Sequence, residues 1–291
     1  MTNIQSANHR HIGDIDLDSI KNIYKYYQTA QMDFELKNLL NRFGIQCQDV
    51  YDLRQYINDL IYEAYPNENV IKSSFINNVL MKSNDHVSIF ELSVANSRTD
   101  LCKINGNSIA YEIKTQYDNY NRLSKQINDY LSVFEMSYVI CPKSNIDQIE
   151  KEIPDECGIY FYCYEDRNYK FIKHRKAKKS ICLNPTVQLS VLTKRELSIH
   201  FNIKSSKENR EQIVIEILNK YSPKYINSMF KKSLKQKYFN NWMFLKEHHE
   251  EIYNIDYQWF FKQKINPNII YLIILSIFSG SAFINPSTPI C

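Results

Sequence analysis

The spacing of apolar residues divides the chain by period. Across residues 14–64 they recur at intervals of three and four, in "DSIKNIYKYY", "DFELKNLLNRF" and "DVYDLRQYINDLIYEAY". Each segment opens on an Asp suited to a helix N-cap. A "PNEN" break at Pro66 follows, and then "NVIKSSFINNVLMKS" carries Ile71, Phe75 and Val79 on one helical stripe. The period next shortens to that of strands. "HVSIFELSV", "RTDLCKI" and "SIAYEIKT" are β-branched, aromatic and partly alternating, and turn-forming "ANS" and "NGN" separate them. After Thr115 the pattern predicts a helix with Leu123, Ile127, Tyr130, Leu131 and Phe134 on one face. "MSYVICP" reads as a buried strand, "NIDQIEKEI" as a short helix, and "GIYFYC" and "YKFIK" as two further strands. From about Pro185 the helical period returns, through "SVLTKRELSIHFN", "SKENREQIVIEILNKY" and a run from Tyr225 to Lys264.

This order predicts an α-β-β-β-α-β core, a mixed sheet with helices packed on it, of the α/β (α+β) class. Three parts are expected: a helical arm over residues 1–64, the core over 65–180, and a helical region with an apolar tail over 181–291.

Composition changes this picture little. With 291 residues the chain can bury a core, and 44% hydrophobic against 23% charged residues excludes a disordered chain. A net charge of +4 admits a nucleic-acid partner without requiring one. The 7 Cys are odd in number and lack any C-x-x-C spacing, which points to reduced thiols in the cytoplasm rather than a disulfide framework. No apolar signal core precedes the first helix. No charged side chain falls between Ile265 and Cys291, and "NIIYLIILSIF" is strongly apolar. That run is shorter than the roughly 20 residues a bilayer span needs. It reads as a buried or docking segment, with a membrane anchor as the other reading.

The candidate chemistry lies in the hairpin. Residues two apart on a strand share a face, so Glu112 and Lys114 point one way and Tyr111 and Ile113 the other. Asp100 and Glu112 lie at comparable distances from the "NGN" turn, so an antiparallel hairpin brings one carboxylate from each strand together, with Lys114 beside them. Two hard carboxylates that leave water sites open are the usual protein share of a Mg²⁺ centre. The metal acidifies bound water and neutralises charge at a phosphodiester. Lys114 would orient the water or stabilise the charge that develops, and the Ile113 carbonyl would add a ligand.

Asp100-x11-Glu112-Ile113-Lys114 resembles the D-x(n)-(D/E)-x-K signature of the PD-(D/E)XK nuclease superfamily, with Thr99 where the motif name has Pro. Gln126-x3-Tyr130 on the next helix resembles the Q-x3-Y motif of its RecB-like members. The combination is also similar to a group of uncharacterised bacterial and phage proteins assigned to that superfamily. The resemblance covers about Phe75 to Pro142 and neither helical flank. It implies a restriction-endonuclease-like core, Mg²⁺ (or Mn²⁺) as cofactor, and DNA rather than RNA as substrate. It casts Asp100, Glu112, Lys114 and Gln126 as catalytic, and Glu91 as an upstream acid of the metal site. For Glu91, a solvent-facing edge-strand residue is an equal reading. Tyr130 lies on the apolar stripe and reads first as core.

Arg122 suits phosphate recognition, or an i,i+4 ion pair with Asp118. The cluster Lys173, Arg175, Lys176, Lys178 and Lys179 follows the last core strand, where it would flank the cleft and hold a nucleic-acid backbone, or form a solvated basic linker. The expected function is thus a Mg²⁺-dependent nuclease of defence, repair or mobile-element processing, acting alone, as a homodimer or with a partner protein, away from membranes. Two other readings stand beside it: a catalytically degenerate nuclease fold that binds nucleic acid or protein, and a helical structural or membrane-associated protein.

Overall fold

A computed structural model describes residues 15–46, 52–203 and 209–276, with side chains through Tyr271. Its helices are α1 (Leu17–Tyr26), α2 (Asp33–Arg42), α3 (Leu53–Ala64), α4 (Glu68–Phe75), α5 (Leu123–Leu131), α6 (Ile146–Glu152), α7 (Pro185–Val191), α8 (Lys194–Phe201), α9 (Arg210–Lys220), α10 (Pro223–His248), α11 (Tyr257–Gln263) and α12 (Pro267–Ser276). Its strands are β1 (Val87–Phe90), β2 (Ser93–Val94), β3 (Ser97–Arg98), β4 (Leu101–Asn105), β5 (Asn107–Ile113), β6 (Met136–Pro142), β7 (Gly158–Glu165) and β8 (Asn168–Arg175).

The chain divides into two compact units. One joins the residues up to Tyr65 with those from His248 onward. Its regular elements among the described residues are all helical, and its caps differ from those the sequence suggests. Asp16 caps α1 by accepting from Ser19 N at 2.9 Å, and Asp52 caps α3 by accepting from Arg54 N and Gln55 N. At α2 the Glu35 carboxylate accepts the Met32 N–H instead. Asp18 and Asp33 therefore sit inside first turns, where their charge favours the positive helix end, and Asp49 lies outside the described residues. The buried Asp256 accepts from Thr29 Oγ1 at 2.7 Å, Tyr271 Oη at 2.8 Å and Tyr27 Oη at 3.0 Å. The expected helical run from Tyr225 to Lys264 breaks after His248, because residues 249–256 turn to deliver Asp256 to those hydroxyls.

The second unit, Pro66–Glu247, holds the sheet. Six strands run in the order β1-β4-β5-β6-β7-β8. The first three are antiparallel, β5, β6 and β7 are parallel, and β8 returns antiparallel. This is the mixed, helix-flanked sheet that the periodicity predicts. On one face Phe75 of α4 meets Tyr111, Tyr160 and Phe171 at ring distances of 5.1–5.3 Å. On the other, α5 buries Leu123, Ile127 and Tyr130. Helices α7, α8 and α9, and α10 as far as Glu247, also pack within this unit. Gln188 Nε2 donates to the Val133 carbonyl, and Phe230 lies 6.3 Å from Phe134. The expected strand "HVSIFELSV" is interrupted: β1 ends at Phe90, and Glu91 takes a left-handed φ of 54°.

Among the described residues, no helix is long and apolar enough to cross a membrane. The segment 277–291 of the apolar tail lies outside those residues.

Candidate active site

The hairpin β4–β5 turns at Gly106, whose φ of +63° favours a residue without a Cβ. Its register pairs Asn105 with Asn107 and Leu101 with Tyr111. One step further out Asp100 comes opposite Glu112, and there the ladder gives way to a side chain: Asp100 Oδ2 accepts the Ile113 N–H at 2.5 Å. The strand next to β5 continues past its end, since Lys114 N donates to the Ile140 carbonyl at 2.8 Å. Glu112 and Lys114 therefore keep strand alternation and share the face that looks at α5.

That helix supplies the rest. Gln126 and Tyr130 are four apart, hence on one face. Lys114 Nζ donates to Glu112 Oε1 at 2.7 Å and reaches Gln126 Oε1 at 3.2 Å. The Tyr130 hydroxyl lies 2.5 Å from Glu112 Oε2 and 2.7 Å from the Arg98 carbonyl, and donates to one of them at a time. Tyr130 is fully buried and its hydroxyl also bonds Glu112, so the core reading describes only its ring.

The opposite wall comes from α4. Asn67 caps it, and Glu68 is its first residue. Lys72, one turn on, is 1% exposed. Its ammonium sits 2.7 Å from Glu68 Oε1 and 2.6 Å from Glu91 Oε1. Arg98 Nε holds the other Glu91 oxygen at 2.7 Å. The left-handed backbone at Glu91 costs about 1–2 kcal/mol, and these two cations offset it. Oxygens of Glu68, Glu91 and Asp100 lie within 4.8 Å of one another.

The electrostatics follow from this crowding. Burial, then Glu112 and Glu68, push the Asp100 carboxyl well above the ordinary carboxylate range. Burial also raises Glu112, against the pull of Lys114 and Tyr130. Burial by itself would lower both lysines. Glu112 and Asp100 hold Lys114 net above its ordinary value, and Glu68, Asp100 and Glu91 do the same for Lys72. Burial and Glu112 push the Tyr130 phenol far up, so it stays a proton donor.

Asp100, Glu112, Ile113, Lys114, Gln126 and Arg122 line one cleft of about 700 Å³. Lys125, Arg98 and Glu68 line it too. Several expectations are redirected. Glu91 is not a solvent-facing edge residue: it has left the alternation of β1, cations hold both its oxygens, and it stands in one acidic group with Glu68 and Asp100. Arg122 makes no ion pair with Asp118, whose Oδ2 instead accepts from Thr115 N and Oγ1. Lys173, Arg175, Lys176, Lys178 and Lys179 do not line the cleft: Lys173 and Arg175 lie on β8 at the far edge of the sheet, three strand spacings or about 14 Å from β5, and the chain after them crosses to the strand ends opposite the cleft, where Lys178 N donates to the Glu156 carbonyl and Ser180 N to the Glu135 carbonyl. Arg175 is committed to the Cys157 and Pro154 carbonyls, and Lys173 lies over the Tyr160 ring. Sequence reasoning missed Glu68 and Lys72. Their i,i+4 spacing on a capped helix was visible, but nothing local marked Lys72 as buried.

Comparison with known proteins bears on descent. The family model for bacteriophage P4 protein cII matches residues 62–259, about two thirds of the chain and all of this cleft. Protein cII of Enterobacteria phage P4 is 28% identical over 159 residues, which cover 53% of this chain and 60% of the relative. The chain thus spans about three fifths of that relative's length. Among solved structures, the SPO1766 protein of unknown function from Silicibacter pomeroyi is 14% identical, covering 52% of this chain and 92% of that one, at a TM-score of 0.32, too slight a likeness to build on. The extent of the family match, across both walls of the cleft and the whole sheet, places this chain in the bacteriophage P4 protein cII family.

Proposed function

We propose that this cleft is the active site of a divalent-metal-dependent phosphodiesterase acting on nucleic acid, DNA in preference to RNA, built on a restriction-endonuclease-like core. One observation carries the reading. Asp100 and Glu112, from the two strands of one hairpin, open on the same cleft as Lys114 and Gln126, with the Lys114 ammonium 2.7 Å from Glu112.

The donor set fits a hard divalent cation. Asp100 Oδ1 has no hydrogen-bond partner among the described residues, so a carboxylate oxygen is left for an ion beside Glu112. Asp100 and Glu112 would hold Mg²⁺, or Mn²⁺ in its place. The ion would supply an acidified water and neutralise charge on the scissile phosphate.

The chain's own groups do the remaining work. Tyr130 fixes Glu112 from behind. Gln126 sets the direction of the Lys114 ammonium, which lies where it can orient a water or meet charge on a phosphate oxygen. Arg122 and Lys125, at the start of α5, are placed for backbone phosphates. Incubation with supercoiled plasmid and with single-stranded DNA tests this reading. Cleavage with Mg²⁺ that stops with EDTA supports it, and none with Mg²⁺ or Mn²⁺ ends it. A second reading, a catalytically silent nucleic-acid-binding module, is favoured by the engagement of both Glu112 oxygens by Lys114 and Tyr130. Under it, Glu112→Ala leaves biological activity intact.

A further inference from the structure

The Glu68–Glu91–Asp100 group offers three carboxylates within reach of one ion, yet a lysine already stands among them. Lys72 is 1% exposed and reaches Glu68 at 2.7 Å and Glu91 at 2.6 Å. The second Glu91 oxygen is on Arg98. We infer that the Lys72 ammonium is a built-in cation that takes the place of a second metal, so that the cleft accepts one divalent ion, on the Asp100–Glu112 side, and none between Glu68 and Glu91. This rests on the phosphodiesterase reading and deepens it.

The physical basis is exclusion by charge and by position. A buried ammonium bonded to two carboxylates cannot share their facing oxygens with a divalent ion, because the like charges repel at short range, and on the Glu91 side, where the carboxylate is 10% exposed, little solvent screens them. The ammonium also has no easy exit. Its stem is enclosed, so retreat would leave a buried charge without partners. Asp100 is different. Its Oδ2 takes a backbone N–H rather than a cation, and Oδ1 is open. The single-ion stoichiometry follows from which cation is sealed in place: Lys72 is 1% exposed and stands outside the cleft lining, whereas Lys114, which holds one Glu112 oxygen, is 11% exposed and lines the cleft, where it can give way to an ion. Glu68 and Glu91 have Lys72, and Asp100 has none at hydrogen-bond distance among the described residues.

Mn²⁺ binding to the full chain tests this, by titration calorimetry and by electron paramagnetic resonance of free ion. The wild type is expected to bind one Mn²⁺. Lys72→Met, which keeps the stem and removes the charge, is expected to bind two, while circular dichroism shows the fold retained. Two ions in the wild type, or one in a folded Lys72→Met, overturn the inference and leave the phosphodiesterase reading standing. No ion in the wild type overturns the metal-dependent reading and this inference with it. If Lys72→Met does not fold, anomalous diffraction from Mn²⁺-soaked wild-type crystals decides. A peak beside Asp100 with Lys72 still between Glu68 and Glu91 is expected, and a peak bridging Glu68 and Glu91 overturns the inference.

Discussion

Replacing Tyr130 with Phe removes one oxygen from a fully buried position and keeps the ring. No cavity of consequence forms, so the loss measures the hydroxyl. That hydroxyl is 2.5 Å from Glu112 Oε2, and among the described residues Lys114 is the carboxylate's other side-chain partner. A hydrogen bond to a charged group contributes roughly 1.5–3 kcal/mol. For a unit of the size of Pro66–Glu247 this corresponds to a melting-temperature fall of about 3–12 °C. Urea denaturation followed by tryptophan fluorescence gives the free energy. A double-mutant cycle with Glu112→Gln isolates the pair, and a coupling of about 1 kcal/mol or more is expected. The same variant is expected to raise the Glu112 pKa further, because a donor to the ionised form is gone. A loss below about 0.5 kcal/mol, together with additive single variants, would refute the view that Tyr130 braces Glu112.

Other outcomes follow from the same geometry. Lys114→Ala is expected to lower the cleavage rate by roughly 10²–10³-fold while Mn²⁺ still binds, as seen by gel assay and calorimetry in parallel. Asp100 and Glu112 have folded pKa values above their unfolded ones, so their stabilisation is complete below the ordinary carboxylate range and is lost as pH rises through the raised values. Asp100→Asn is therefore expected to gain stability over the wild type at pH 8 and not at pH 4, in the absence of metal. Glu135 behaves oppositely: burial pushes it up, but Lys231, the Ser108 N–H and Asn227 bring it net below the ordinary range. Its contribution is present above that range and lost as pH falls through the lowered value, so Glu135→Gln is expected to flatten the acid limb of a stability–pH curve. Gly158→Ala puts a Cβ 2.2 Å from the Tyr138 ring and 2.7 Å from Ala177 N, and is expected to cost about 1–3 kcal/mol in urea denaturation.

The sheet was legible because each strand announces itself by composition and each turn by its residues. "NGN" fixed the hairpin, and the parallel step to β6 followed from the intervening helix. The pairing of Asp100 with Glu112 can be counted outward from that turn in the sequence itself. Two kinds of feature were not legible. Glu91 looked like an alternating strand residue because local pattern carries no sign of a left-handed φ. Ion pairs made across the fold, from Lys72 to Glu91 or from Lys231 to Glu135, depend on distances that sequence spacing does not encode. The basic cluster after β8 failed as a cleft wall for a related reason. Adjacency in the chain said nothing of the strand order that sends β8 to the far edge. The long helix α10 ties in by similar pairings: Lys231 reaches the Gly106 carbonyl at the hairpin turn and Lys237 reaches Glu196.

The central claim is that Asp100, Glu112 and Lys114 form one catalytic centre. Cleavage of plasmid and single-stranded DNA by the wild type, Glu112→Ala and Lys114→Ala, each shown to be folded and each assayed with Mg²⁺ and with EDTA, tests it most directly. Metal-dependent cleavage by the wild type is expected, with at least about a hundredfold loss in both variants. Cleavage by either folded variant at the wild-type rate, or no cleavage by the wild type with either Mg²⁺ or Mn²⁺, would contradict it.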